Sequence, residues 1–162
     1  MAWSNLCLQN PARPCAIVIL WLLCHRRLAT KSRLCKLGFI NISTCSYCGL
    51  IETDSHIFFE CSEYREIWIA ILQWLQIDHS PKQWDDEISW LVNRTKGQGW
   101  RAKLLKLAIA EGVYGIWLHR NRLIFRTPND SKHTIQGIID KIVYRGWTCR
   151  ALKPHIASLM IM

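Results

Sequence analysis

The sequence predicts a mainly α-helical fold arranged around one short loop rich in cysteine. Three observations carry that prediction. Apolar residues recur at helical spacing in several separate stretches. Four cysteine and histidine residues crowd into positions 45–61, between two of those stretches. Half of the 162 residues are hydrophobic and a fifth are charged, a globular composition in a chain long enough to bury a core.

The elements follow in order. Residues 1–14 read as an irregular lead-in, because Pro11 and Pro14 discourage helix. Residues 16–28 run from apolar to basic, as a buried helix whose last turn holds His25, Arg26 and Arg27, where the helix dipole favours cations. Thr30 is placed to cap a short helix over 31–37, and Gly38 to stop it. Residues 39–61 are turn-rich. After Ser62, the residues Tyr64, Ile67, Trp68, Ile71, Leu72 and Leu75 repeat at i, i+3, i+4, i+7, i+8 and i+11, one apolar helix face. His79-Ser80-Pro81 ends that helix. Residues 79–100 read as an acidic linker with a short helix at 87–92. A long helix is predicted over 101–126, with Leu105, Ile109, Val113, Ile116 and Trp117 on one stripe. Arg120, Asn121, Arg122 and Arg126 crowd its end, and Thr127-Pro128-Asn129-Asp130 breaks it. Ile135, Ile138, Ile139, Ile142 and Val143 predict a last helix. The tail after Pro154 is apolar without a clear period. Most of the nine Trp residues are expected in or near the core.

Charge is unevenly spread. Residues 1–44 carry six basic and no acidic side chains, residues 45–92 two basic and nine acidic, and residues 93–162 thirteen basic and three acidic. Basic flanks suit a polyanion such as a phosphate backbone, although solvated helix faces are the better reading of the charge alone. The apolar run from Cys15 to Cys24 is ten residues long, too short to span a bilayer. It has the length of a signal-peptide core, but His25-Arg26-Arg27 is wrong for a cleavage region, so a buried helix is the better reading. Eight cysteines and three glycosylation sequons, at Asn41, Asn93 and Asn129, would fit a secreted disulfide protein. A chain of this length does not need such staples, and Cys7, Cys15, Cys24 and Cys35 sit singly among apolar or basic residues. The expected compartment is therefore reducing and intracellular.

Cys45-x2-Cys48-x7-His56-x4-Cys61 is the most specific feature. Two thiolates two residues apart on a tight turn grip one face of a zinc ion, and Gly49 gives that turn its backbone freedom. His56 and Cys61 complete a tetrahedron. Four protein ligands close the site to water, which predicts one structural Zn²⁺ rather than hydrolytic chemistry. The competing reading is a chance Cys-x2-Cys, or a Cys45–Cys48 disulfide. Three thiolates leave the site at a net −1, and Glu52, Asp54 and Glu60 deepen that charge. Nucleic-acid contact is therefore expected from the flanks, at Arg26, Arg27, Lys31, Arg33, Arg120 and Arg122. Trp84-Asp85-Asp86-Glu87 lacks the second carboxylate cluster and phosphate loop that Mg²⁺ chemistry needs, and reads as a solvated loop or helix start. His119 and His133 are lone histidines without evident partners. No nucleophilic triad stands out.

With these residues in view, the chain resembles the zinc-binding domain that follows the reverse transcriptase of plant LINE-type (non-LTR) retrotransposons. Residues 21–37, WLLCHRRLATKSRLCKL, are similar to that family's H-R-L-P-T-K-x-R-L segment. The ligand spacing, the run His56-Ile57-Phe58-Phe59-Glu60-Cys61 and the segment 116–125, similar to I-W-x-x-R-N-x-x-I-F, extend the likeness over residues 13–126. Ala29 and Ser62 depart from the family's usual prolines. The resemblance implies the ligands Cys45, Cys48, His56 and Cys61, a role in holding template RNA or target DNA, and a nuclear location. No polymerase domain lies in these residues and the chain starts with its own Met1. The expectation is therefore a separately encoded fragment or degenerate copy that is not an enzyme.

The predicted fold class is thus mainly α, with helices around a small zinc-stabilised CCHC loop. The expected division is a lead-in (1–14), a zinc-binding domain (15–78), an acidic linker (79–100), a helical C-terminal region (101–150) and a tail (151–162). The expected function is a non-catalytic zinc module that binds RNA or DNA through its basic flanks and has no membrane partner. The alternative is a helical protein-interaction module with a structural zinc site.

Overall fold

The computed structural model describes residues 3–125 and 131–161. The predicted break at 127–130, the basic Arg126 and the sequon at Asn129 lie outside the described residues. The fold is mainly helical. Among the described residues it has eight α-helices and one π-helical turn, with a single isolated antiparallel pairing, Thr44 with Ile51. No helix among the described residues is long and apolar enough to cross a membrane.

The lead-in is not wholly irregular. It holds α1 (Ser4–Cys7), whose Leu6 is fully buried. Asn10 fixes the approach to α2, donating from its amide to the carbonyls of Leu6 and Lys106, each at 2.8 Å. Pro14 does not exclude helix but begins one: it stands at the first turn of α2 (Pro14–Cys24), where a missing N–H leaves nothing unsatisfied. That helix ends four residues earlier than predicted. Arg26 takes a left-handed φ of 56°, its N–H donates to the Leu23 carbonyl, and the Arg27 N–H donates to the Leu22 carbonyl (2.9 and 2.8 Å). Those paired bonds are a Schellman closure with arginine where glycine is usual. At α3 (Lys31–Lys36) the prediction holds: Thr30 Oγ1 accepts from the Arg33 N–H, and Gly38 closes the end at φ 78°.

In α4 (Ser62–Trp74), Tyr64, Ile67, Trp68, Ile71 and Leu72 form the buried face, as the periodicity predicts. The expected acidic linker instead carries a full helix, α5 (Trp84–Arg94), longer than the predicted 87–92. Asp85, Asp86 and Glu87 fill its first turn, where the helix dipole favours carboxylates. Glu87 also turns inward. It is fully buried and accepts from the Lys82 N–H (2.9 Å) and the Trp68 indole (3.3 Å), with His79 Nε2 at 2.8 Å.

The spine of the molecule is α6 (Trp100–Ile124), which packs against α1, α2, α4 and α7 (Ser131–Thr148). Besides the predicted stripe, Leu104, Leu107, Ala108 and Ala110 are buried, so its middle is covered on every side. Two glycines permit the close approach: a Cβ at Gly112 would press on Trp68 and Ile71 of α4 at 3.1 Å, and one at Gly115 would overlap Ile138 of α7. The tail is α8 (Lys153–Met160), anchored by buried Leu152 and Ile156 rather than aperiodic. One apolar cluster runs from Leu6 to Ile156 and includes Cys45, Cys61 and the Ile57-Phe58-Phe59 run.

Candidate metal centre

Two pieces of local structure converge on the metal site. The first is a hairpin over 43–52. The Cys45 N–H donates to the Leu50 carbonyl (2.7 Å) and the Glu52 N–H to the Ser43 carbonyl (2.9 Å). The Gly49 N–H closes the turn onto the Cys45 carbonyl at 3.0 Å. Gly49 has φ 79° with open space around a Cβ, so its conformation alone calls for glycine. The Tyr47 N–H points at Cys45 Sγ (3.4 Å), a donor well placed for a thiolate.

The second piece is the π-helical turn His56–Glu60, closed by the Cys61 N–H on the His56 carbonyl (2.7 Å). A π turn spaces two donors five residues apart on one side, a geometry an α-helix does not give, and such turns recur at functional sites. Its apolar residues Ile57, Phe58 and Phe59 are all buried, and Cys61 then serves as the N-cap position of α4.

Together they bring Cys45, Cys48, His56 and Cys61 into one cluster with all four ligand atoms within 4.8 Å of one another. Cys48 Sγ lies 3.2 Å from His56 Nε2 and 4.0 Å from Cys61 Sγ. Zinc bonds of about 2.3 Å to sulfur and about 2.0 Å to nitrogen give tetrahedral edges of roughly 3.5–3.8 Å, within a few tenths of an ångström of these separations. Burial pushes the Cys61 thiol up to about 12, with the neighbouring Cys45 adding to the effect. Metal binding must therefore release a proton there, as a thiolate ligand requires. Burial likewise lowers the His56 pKa, which favours the neutral imidazole that binds metals. The donor set suits a closed, structural Zn²⁺.

Glu52 is the residue whose role the sequence concealed. It does not deepen the charge of the metal loop: it is fully buried and ion-paired with Arg120 of α6. Its Oε1 also accepts the Lys31 N–H (2.8 Å), and its carbonyl accepts the Ser32 N–H (3.2 Å). One carboxylate thus ties the hairpin to the start of α3 and to the spine. A second tie runs through His119, which is not a lone histidine. Its Nε2 meets Glu63 Oε1 of α4 and its Nδ1 meets Thr134 Oγ1 of α7, each at 2.9 Å.

The predicted nucleic-acid residues divide. Arg120 is corrected: it is 6% exposed, bound to Glu52 and lying 4.7 Å from the Trp117 ring centroid, so its charge is spent inside the fold. Lys31 donates to the Thr44 carbonyl (2.9 Å) and Ser46 Oγ (2.7 Å), holding the hairpin. Arg33 donates to the Arg26 carbonyl at 3.3 Å, and Arg26 lies over the Trp84 ring at 3.6 Å. Arg27 is exposed, and Arg122 borders a cleft between α6 and α7.

Comparison with known families agrees with the metal geometry. Residues 1–68 match the family model described as zinc-binding in reverse transcriptase. The match takes in all four ligands and stops inside α4, short of the α6 residues that clasp the hairpin, and it does not extend to a polymerase. No curated protein and no solved structure matches the chain. The cluster of three cysteines and one histidine, lying within the matched residues, identifies the first 68 residues as a zinc-binding module similar to that of reverse transcriptases.

Proposed function

We propose that the chain is a non-catalytic module in which one structural zinc orders the hairpin at 43–52, and that it holds RNA or DNA for a reverse transcriptase of the plant LINE-type (non-LTR) class, in the nucleus. The observation that carries this reading is the closed donor set Cys45, Cys48, His56 and Cys61 inside residues matched to a reverse-transcriptase zinc domain. A site without an open ligand position offers no water to activate, so the metal's contribution is folding free energy. Metal analysis should return one zinc per chain, and the zinc-loaded protein should bind oligonucleotides with an affinity that falls as salt rises. Binding absent at low salt would remove the nucleic-acid role and leave the zinc module.

A second reading is a protein-interaction module. Leu37, Phe39, Ile42, Leu50 and Ile51 are each more than half exposed around the metal loop, an apolar surface that a protein partner would cover. Capture of a specific protein that survives nuclease treatment, with no oligonucleotide binding by the purified chain, favours this reading.

A further inference from the structure

From the cleft between α6 and α7 we infer a phosphate-binding site that grips a nucleic-acid backbone; the inference rests on the nucleic-acid reading proposed above and gives it a location. The cleft encloses about 340 Å³ and is lined on one side by Arg122 and on the other by His133 and Lys141. Arg13 and Glu111 also face it, but they neutralise each other through bonds of 2.6 and 3.0 Å. Glu111 is the one acidic residue among the cleft's described lining. Arg122, His133 and Lys141 have no hydrogen-bond or ion-pair partner among the described residues.

That situation differs from the basic residues near the metal. Lys31, Arg33 and Arg120 are engaged by protein acceptors, and Arg26 lies over an indole. Three nitrogen-bearing side chains around one recess, without a partner among the described residues, are the arrangement a phosphodiester oxygen needs, because charge-assisted donors from several directions are stronger than a single solvated cation. Gly137, with open space where a Cβ would stand, keeps part of the wall free of side chains. The ring of Tyr114, which also lines the cleft, is engaged by the Arg13 guanidinium 5.0 Å from its centroid. The cleft therefore reads backbone rather than base, and binding there is independent of sequence.

The test is fluorescence anisotropy of the zinc-loaded full chain with a labelled oligothymidylate, over a range of salt. The variants are R122Q/K141Q and, as comparator, R27Q/K36Q. The expected result is an affinity for R122Q/K141Q lowered on the order of tenfold, with a shallower salt slope by roughly 0.7 per lost phosphate contact, and a smaller change in R27Q/K36Q. An unchanged thermal midpoint and zinc content would exclude misfolding, and neither side chain has a partner to lose among the described residues. A wild-type chain that binds, with R122Q/K141Q matching it in affinity and slope, overturns the cleft and leaves the nucleic-acid reading standing. A wild-type chain that shows no salt-dependent binding overturns both. Pyrophosphate that binds the wild-type chain but not R122Q/K141Q, with no oligonucleotide binding, makes the cleft a small-anion site and overturns the strand.

Discussion

The two halves of the metal centre are built on opposite physical grounds. Cys45 and Cys48 come from a hairpin whose outer residues are open to water: Leu50 and Ile51 are 65% and 60% exposed. His56 and Cys61 come from a turn whose Ile57, Phe58 and Phe59 are at most 3% exposed, continuous with the core of α4 and α6. A lone two-stranded hairpin is marginal in water, whereas a buried segment is held by every neighbour it touches. The difference predicts that the helical core holds His56 and Cys61 in place without metal, and that zinc fixes Cys45 and Cys48 of the hairpin against them.

Removing core from the buried half should produce one of the two largest effects. Phe58→Ala should lower global stability by about 3–5 kcal/mol, because the ring leaves a cavity among packed neighbours. Leu50→Ala, on the exposed half, should stay within about 0.5 kcal/mol. Denaturant midpoints of the zinc-loaded proteins measure both, and equal losses would break the comparison.

The Glu52–Arg120 pair is the bridge between the halves, and cutting it tests whether the hairpin is independent. Arg120→Gln strands a buried carboxylate and should cost about 3–5 kcal/mol. The double variant E52Q/R120Q should lose less than R120Q alone, since no uncompensated charge remains. A loss in R120Q below about 1 kcal/mol would mean that Glu52 relaxes to water and that the hairpin is not tied to α6.

Those two regions also differ in how far they could be read from sequence. The cluster of three cysteines and a histidine was legible because zinc geometry is satisfied locally, by a Cys-x2-Cys turn and two further donors within seventeen residues. The α4 face was legible for the same reason, as one stripe with a single period. The bridge was not, because Glu52 and Arg120 are 68 residues apart and nothing in either neighbourhood names the other. Helix ends divided likewise. Gly38 announced the end of α3, but Arg26 and Gln76 take the same left-handed conformation, at φ 56° and 59°, without glycine. Short α1 and α8 escaped notice because tertiary anchors, Leu6 and Ile156, hold them rather than propensity. Arg120 looked like a phosphate contact in the one-dimensional chain, and only packing shows its charge consumed.

Metal removal is a gentler perturbation and separates the halves most directly. Chelation should free the amides of 43–52 to exchange near the rate of open loops, while α6 and the buried face of α4 stay protected. Most of the helical circular-dichroism signal should persist, since α2, α4, α6 and α7 pack without touching the metal through their own side chains. Collapse of the helical signal on chelation would show that the core depends on zinc, and the asymmetry would be lost.

A smaller loss than those at Phe58 and Arg120 should come from the hairpin's turn. Gly49 sits at φ 79° with nothing within 4 Å of a built Cβ, so Gly49→Ala meets no clash and pays only for the left-handed backbone. That strain is about 1–2 kcal/mol, equivalent to a zinc affinity weakened roughly tenfold. The metal-free midpoint should not move, because the hairpin is already open there and releases the strain. Competition with a chelator of known affinity, read beside an apo-protein denaturation curve, resolves the two terms. An apo midpoint that falls together with the zinc affinity would show that the turn is formed before the metal binds, and the hairpin would then belong with the preformed half.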